Sequence, residues 1–178
     1  MKLINQLIEE HKAISQRLLI LDQICQDLEQ GKPVEQQQIN QTLDFIRIFA
    51  DERHHCKEEE LLFPAMVLVG IPHSNMLIKD MLEEHDRARE YYMNMSRLQD
   101  HVFDNERIAN AFIKTAREYI WYLNQHMHQE NNVLYPLAVV AFTGAQEKQL
   151  VERFDVIEDE IFGSIHAERF QEIQTESD

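Results

Sequence analysis

The chain has 178 residues, of which 44% are hydrophobic, and its 32 acidic and 17 basic residues give a formal net charge of −15. Such an acidic chain is repelled by nucleic acid and by anionic membranes, so we expect neither as a partner. Only four glycines and four prolines are present. This scarcity of turn-forming residues favours one domain built from a few long helices over many short strands.

The cysteine content and the N-terminus both indicate a cytoplasmic protein. Cys25 and Cys56 are the only cysteines, which is too few for a disulfide framework. Glu9 and Glu10 lie where a secretory signal would have its apolar stretch. No apolar run approaches the about 20 residues that are needed to span a bilayer.

The first predicted helix covers residues 3–28. Its apolar residues recur at alternating steps of three and four, as on one face of an α-helix. His11 occupies a place in this apolar stripe, so we expect its side chain to face the core. Gly31 and Pro33 follow and are expected to end the helix.

The second predicted helix covers residues 34–69. His54 and Glu58 share its apolar stripe, so both are expected on the core side. Pro64 lies inside this run and should kink the helix or end its regular part. Lys57, next to Glu58, is expected on the outer face.

Two further helices repeat this plan. The third covers residues 75–98 and carries His85 in its apolar stripe, and the fourth begins near residue 106. His126 and Glu130 lie on the inner face of the fourth helix. Four long helices joined by short links predict an all-α, up-down-up-down four-helix bundle.

A fifth amphipathic helix is predicted over residues 146–171. It contains no repeated polar pattern, and we interpret it as a cover for one side of the bundle or as the surface of a homodimer. The predicted organisation is therefore a bundle formed by residues 1–142 and an additional C-terminal helix with its tail, residues 143–178, packed on that bundle.

A short pattern occurs twice in the chain. His54 and Glu58, spaced four apart and followed by Leu-Phe-Pro, are matched by His126 and Glu130, followed by Leu-Tyr-Pro. Residues four apart share one face of a helix, so each copy directs an imidazole and a carboxylate the same way. A Glu-Glu-His sequence that ends at His11 in the first half recurs in the second half. The core-facing set is His11, His54, Glu58, His85, His126 and Glu130.

This buried set predicts a metal site. A buried imidazole needs a partner, and a buried carboxylate persists as a charge only when it is paired or bound to a cation. No equally placed set of lysines or arginines is present to neutralise the two glutamates. Imidazoles mixed with carboxylates suit iron, manganese or zinc. We choose iron, with one glutamate on each of two helices placed to bridge two ions about 3.5–4 Å apart.

These motifs resemble the hemerythrin family, specifically the bacterial hemerythrin-like cation-binding domains. The match rests on Glu10-His11, on residues 54–64, on Glu84-His85 and on residues 126–136, and it covers residues 1–142. The resemblance implies a four-helix bundle that holds two iron ions (Fe2+/Fe3+) with an oxo or hydroxo bridge. It also implies four histidines as terminal ligands and two bridging carboxylates: His11, His54, His85, His126, Glu58 and Glu130.

The sequence departs from the oxygen-carrying members of that family at two positions. Those proteins have a second histidine four residues after the one that His85 matches, where this chain has Arg89. They also have an aspartate where this chain has Asn131. The departures imply an open coordination position, which favours reactivity or sensing over simple oxygen carriage.

Two neighbours of the predicted ligands have open interpretations. His55 is the best candidate for a fifth imidazole ligand; otherwise it lies beside the ligands or is partly exposed. Arg89 is expected either to pair with a nearby carboxylate, such as Glu58 or Glu130, or to face solvent. Glu59 is expected on a solvated edge.

The resemblance favours a di-iron protein that binds or senses a small oxidant or diatomic molecule, meaning oxygen, nitric oxide or peroxide. Whether it is also an enzyme is left open; if so, we expect a di-iron oxidoreductase. The alternative is an oxidoreductase or iron donor in the repair of iron–sulfur centres or of nitrosative or oxidative damage. A third hypothesis is a helical interaction module with purely structural zinc.

Overall fold

The computed structural model describes residues 1–71 and 74–162, and all of its regular elements are helical. The last part of the predicted fifth helix, residues 163–171, lies outside the described residues. The elements are α1 (Lys2–Glu29), α2 (Gln36–Phe45), π1 (Ile46–His55), π2 (Glu58–Leu62), α3 (Phe63–Leu68), α4 (Ser74–Leu98), a 3₁₀ turn (Gln99–His101), α5 (Glu106–Gln129), π3 (Glu130–Leu134), α6 (Tyr135–Ala141) and α7 (Gly144–Phe162).

These elements form four helical rods and one additional helix. The rods are α1, the continuous run from α2 to α3, α4, and the run from α5 to α6. The first rod packs on α2, π1 and α5, while α4 packs on α5 and π1. The predicted all-α bundle of four helices with an additional helix is confirmed.

Local signals in the sequence set the helix ends. Gly31 has a φ of +63°, and its amide donates to the carbonyl of Leu28, which closes α1 as the sequence predicts. The side chain of Asn105 accepts a hydrogen bond of 3.1 Å from the amide of Ile108 and so caps the start of α5.

Each of the two duplicated prolines follows a widened helical turn. The amide of Phe63 donates to the carbonyl of Glu58, five residues earlier, and that of Tyr135 donates to the carbonyl of Glu130. π2 and π3 therefore each begin at a glutamate of the duplicated pattern and end two residues before the proline. Such turns hold one more residue than an α turn and are frequent at functional sites.

Two apolar clusters fill the bundle, one on each side of its middle. The larger cluster includes Leu18, Phe49 and Phe112, and the smaller includes Leu3 and Phe63. Helix α7 packs on α1, π1 and π2. Its buried side chains Leu150 and Phe154 belong to the smaller cluster.

Homodimer formation through the C-terminal helix stays a prediction, as does the division of the chain at residue 142. Across the described residues, no helix combines the length and apolarity of a membrane span.

Candidate metal centre

Six polar side chains from all four rods meet in the middle of the bundle. Each is at most 3% exposed, so the predicted burial of all six is confirmed. Their role as metal ligands stays a prediction. They are His11 in α1, His54 in π1, Glu58 in π2, His85 in α4, His126 in α5 and Glu130 in π3.

The six side chains form two overlapping groups, each with potential ligand atoms that lie within 4.8 Å of one another. We call the group around His11 and His54 the first end and the group around His85 and His126 the second end. Glu130 belongs to both groups. The full groups are His11, His54 and Glu130, and Glu58, His85, His126 and Glu130.

The two glutamates extend across both ends. Oε2 of Glu130 lies 3.1 Å from Nε2 of His11, and its Oε1 lies 3.2 Å from Nε2 of His126. Oε2 of Glu58 lies 3.7 Å from Nε2 of His54 and 3.5 Å from Nε2 of His85. Both carboxylates are therefore placed where they could be shared by two adjacent cations.

Two glutamates orient the histidines of the duplicated pattern. Oε2 of Glu10 lies 2.9 Å from Nδ1 of His54, and Oε2 of Glu84 lies 2.7 Å from Nδ1 of His126. A carboxylate at Nδ1 favours the proton on that nitrogen and leaves the Nε2 lone pair facing the centre. Both glutamates directly precede a core histidine in the sequence, which is the signal that could have identified this role.

A second pair of oxygen acceptors orients the other two histidines. Oε1 of Glu59 lies 2.7 Å from Nδ1 of His85, and Oδ1 of Asn131 lies 3.0 Å from Nδ1 of His11. The expectation that Glu59 lies on a solvated edge is therefore wrong. Glu59 is half-buried and contacts His85 of the site. Glu59 and Asn131 each follow a histidine of the duplicated pattern by five residues, so the duplication extends to the supporting residues.

The centre contains buried polar atoms that the protein itself does not satisfy. Among the described residues, Oε2 of Glu58, both carboxylate oxygens of Glu130 and Nε2 of His54 have no hydrogen-bond partner. The residues that carry these atoms belong to the two groups of potential ligands, and divalent cations bound there would satisfy the atoms. The donor set of imidazoles and carboxylates fits iron, manganese or zinc.

The two central glutamates differ in their protonation. Burial and the charge of Glu130 raise the pKa of Glu58 well above its usual range. Burial would also raise the pKa of Glu130, but the charge of His126 and the contacts with nearby imidazoles outweigh it and hold that pKa well below its usual range. Without a cation, a proton shared by this coupled pair therefore favours Glu58 over Glu130.

Tyr135 is a site residue that the sequence analysis missed. Its hydroxyl donates to Oε1 of Glu58 at 2.7 Å and lies 3.3 Å from Nε2 of His11. In the sequence, this position stands out only as the aromatic member of the duplicated pattern. The other copy has Phe63, so the hydroxyl that distinguishes the two copies is the signal that could have found it.

Lys57 is buried, and the expectation that it faces outward is wrong. The residue is 0% exposed, and its ammonium lies 2.5 Å from Oε1 of Glu10 and 5.6 Å from the ring centroid of Phe154 in α7. Burial would raise the pKa of Glu10, but the hydrogen bond and charge of His54 together with Lys57 lower it to about 2. Glu10 is thus held as a carboxylate.

Arg89 pairs with nearby carboxylates, as one of its two interpretations expects, but these are not Glu58 or Glu130. Its Nε donates to Oδ1 of Asp51 at 2.8 Å, and a terminal nitrogen donates to Oε1 of Glu59 at 2.6 Å. A further bond of 3.1 Å joins Arg89 to Asp86. The side chain of Arg89 is 32% exposed, whereas Glu58 and Glu130 are fully buried.

His55 is buried at 2% exposure, so it is not partly exposed. One of its nitrogens lies within 4.8 Å of ligand-type atoms of His85 and His126, a distance compatible with a shared ion. Its ring, however, stacks on that of His85, with centroids 3.9 Å apart and an interplanar angle of 11°. An imidazole lone pair lies in the plane of its ring, so two parallel stacked rings cannot both direct their lone pairs at one ion.

The fold and the centre together define a helical-bundle protein with a buried cluster of imidazoles and carboxylates that fits cations. A family model described as the hemerythrin HHE cation-binding domain matches residues 2–168. The chain therefore belongs to the hemerythrin family of HHE cation-binding domains. No curated protein matches the sequence significantly.

Proposed function

We propose that this protein holds two iron ions between its four helical rods and uses them to bind or sense oxygen, nitric oxide or peroxide. The observation that carries this proposal is the pair of buried carboxylates, each of which approaches histidines at both ends of the centre. His11 and His54 would hold one ion, His85 and His126 the other. Glu58 and Glu130 would be shared.

Iron bound at this centre would supply the electrons that a small oxidant accepts. The role of the protein is to hold the ligand atoms in place through a change of charge. Three of the four imidazoles have a carboxylate at Nδ1, from Glu10, Glu59 and Glu84. Such partners strengthen imidazole as a donor and favour the more positive state of the ion. The fourth, His11, has the neutral amide of Asn131 instead.

This difference makes the two ends chemically unequal. At the first end, His54 has a carboxylate at Nδ1 and His11 has an amide. At the second end, both His85 and His126 have a carboxylate at Nδ1. We expect the second end to favour the higher oxidation state more strongly, because negative charge close to a cation lowers the free energy of its oxidised form.

The surroundings of the centre favour a small ligand. Apolar clusters cover the centre along the bundle in both directions, which excludes bulk water and strengthens the electrostatic interactions inside. The six central side chains are at most 3% exposed, so a diatomic molecule or peroxide suits this closed core better than an organic substrate does.

The proposal is tested by loading the protein with Fe2+ under anaerobic conditions and adding oxygen, nitric oxide or hydrogen peroxide in separate titrations. We expect a change in the near-ultraviolet and visible spectrum that saturates near one equivalent per chain for at least one of them. The matched control is Glu130→Gln, which keeps the shape of the side chain but removes the shared charge. A loaded protein that responds to none of the three ligands would contradict the proposal.

The same titration separates a sensor from the alternative functions. Continued consumption of a reductant after the first equivalent would indicate an oxidoreductase. Transfer of iron to a weak chelator upon oxidation would indicate an iron donor. A colourless protein that retains zinc in preference to iron would indicate a structural role.

A further inference from the structure

Arg89 lies four residues after His85, about one turn along α4. Its guanidinium spans two carboxylates from the neighbouring rod, with Nε at 2.8 Å from Oδ1 of Asp51 and a terminal nitrogen at 2.6 Å from Oε1 of Glu59. The side chain of Arg89 is 32% exposed, so the contact lies at the edge of the bundle. Each of the two carboxylates also contacts a histidine. Glu59 contacts His85 of the second end, and Asp51 contacts His55, which stacks on His85.

The first connection passes through Glu59. The oxygen that accepts the guanidinium hydrogen bond also lies 2.7 Å from Nδ1 of His85. A single carboxylate oxygen is therefore held between Arg89 and His85. Because the guanidinium has a rigid planar fork, it restricts this oxygen more than a lysine ammonium would.

The second connection passes through Asp51 and His55. The oxygen of Asp51 that accepts from Arg89 lies 3.4 Å from Nδ1 of His55. His55 in turn stacks on His85 with a centroid distance of 3.9 Å. The ring of His85 is thus constrained from its Nδ1 edge by Glu59 and from one face by His55, and both constraints depend on carboxylates that Arg89 binds.

We infer that Arg89 is a positioning residue that fixes the His85 ring through Glu59 and through the Asp51–His55 pair. In this arrangement His55 supports His85 from behind and does not itself bind the ion, because the two rings are nearly parallel. The inference rests on the proposed metal centre for its effect on cations, but the restriction of His85 is a property of the metal-free protein as well.

The alternative is that Arg89 forms an ordinary surface ion pair, which contributes little. Arg87 provides the matched comparison, because it lies on the same helix and pairs with Glu90 at 2.9 Å on the exposed surface. Removal of either charge changes the net charge equally. Of these two arginines, Arg89 is the one whose carboxylate partner, Glu59, also contacts a core histidine.

The experiment compares Arg89→Met, Arg89→Lys and Arg87→Met by NMR in the metal-free protein. The measured quantity is the rate at which the Nδ1 proton of each core histidine exchanges with solvent. We expect Arg89→Met to accelerate exchange at His85 about tenfold or more and to leave His54, which Glu10 holds, unchanged. Arg89→Lys should restore part of the protection, and Arg87→Met should have no effect.

The metal-dependent part is measured by titration with Co2+ as the probe. Removal of a residue that supports a metal ligand typically lowers metal affinity 10–100-fold. Arg89→Met should therefore lower the affinity for one of the two Co2+ ions about tenfold. Arg87→Met should leave the affinity for both ions unchanged. In the Glu59→Gln background the effect of Arg89→Met should be smaller, because part of its connection is already lost.

The outcomes distinguish this inference from the proposed function. If the wild-type protein binds no Co2+ but Arg89→Met still accelerates His85 exchange, the proposed function fails and the positioning role stands. If the wild-type protein binds two ions and the Arg89 and Arg87 variants behave alike in both measurements, the positioning role is wrong and the proposed function stands.

Discussion

Glu10 holds His54 across the first pair of rods, with Oε2 of the carboxylate 2.9 Å from Nδ1 of the imidazole. Glu84 holds His126 in the same way across the second pair, at 2.7 Å. Glu10 directly precedes His11 in α1, and Glu84 directly precedes His85 in α4. Each of these glutamates orients a histidine of the duplicated pattern on the next rod. The sequence duplication is therefore also a duplication of the hydrogen bonds that support the centre.

Glu10 should make the metal-free protein sensitive to acid. Its pKa is about 2 in the folded protein, below the ordinary value of 4.5, so its contribution to stability is present above pH 4.5 and is lost as the pH falls towards 2. We expect Glu10→Gln to lower the free energy of unfolding by about 3 kcal/mol at pH 7. Urea denaturation at several pH values measures this difference, which should shrink below pH 4.

The corresponding variant in the second half is the control. The side chain of Glu84 is 26% exposed, so Glu84→Gln should cost only about 1 kcal/mol. Equal losses for the two variants at pH 7, or a Glu10→Gln loss that does not change with pH, would refute the role assigned to the Glu10 carboxylate.

Glu58→Gln should separate metal binding from stability. The pKa of Glu58 is raised well above its usual range by burial and by the charge of Glu130, so the metal-free protein holds a neutral carboxyl that glutamine imitates. We expect the free energy of unfolding of the metal-free variant to stay within about 0.5 kcal/mol of the wild type. Its affinity for Fe2+ or Co2+ should fall at least about 100-fold.

Thermal unfolding and metal titration of the same preparations measure both effects. Glu130→Gln is the contrasting variant, since the pKa of Glu130 is held well below its usual range and its Oε1 lies 3.2 Å from Nε2 of His126. It should lose both metal affinity and metal-free stability. If Glu58→Gln retained the wild-type affinity, Glu58 would not be a ligand.

Tyr135→Phe removes the hydroxyl that donates to Glu58 while keeping the ring, as Phe63 does in the other half. A hydrogen bond to a buried carboxyl group is worth about 1–2 kcal/mol, so we expect a loss of that size in the metal-free protein. Chemical denaturation measures it. Tyr119→Phe, in the larger apolar cluster, is the control and should change stability less. A Tyr135→Phe protein as stable as the wild type would show that the hydroxyl does not hold Glu58.

The two cysteines should differ in reactivity. Cys25 is fully buried, and burial raises the pKa of its thiol to about 12. Cys56 is half-buried, and burial together with Glu60 and Glu59 raises its thiol pKa above the ordinary value of 9.0. Because the thiolate is the reactive form, labelling of native protein at pH 8 should be slow at Cys56 and slower still at Cys25.

Labelling at Cys56 should accelerate as the pH rises through 9 and beyond, and Cys56→Ser should abolish the faster phase. Mass spectrometry of the labelled peptides identifies the modified residue. Modification of Cys25 before Cys56 in the folded protein would contradict the packing of α1.

Helical periodicity was sufficient to predict the bundle and the burial of the central residues. His11 and His85 lie in apolar stripes of regular α-helices, where each residue advances by a constant angle. The outward placement of Lys57 was wrong because this residue lies between π1 and π2. A π turn holds an additional residue, so positions beyond it rotate towards faces that an α-helical pattern does not assign to them.

The supporting contacts depend on neighbouring rods and could not follow from periodicity along one helix. Arg89 binds Asp51 and Glu59 of another rod, and its choice between these and other carboxylates depends on how the rods are offset. Tyr135 reaches Glu58 across the bundle in the same way. Comparison of the two copies of the pattern points to such residues, but the partner of each is visible only in three dimensions.

The measurement that tests the central claim most directly is an anaerobic titration of metal-free protein with Fe2+, in parallel with the Glu130→Ala variant. We predict that the wild-type protein binds two ions per chain and that the variant, which lacks the carboxylate shared by both ends, loses both tight sites. Binding of one ion or none by the wild type, or two tight sites in Glu130→Ala, would contradict a centre in which Glu130 joins two cations.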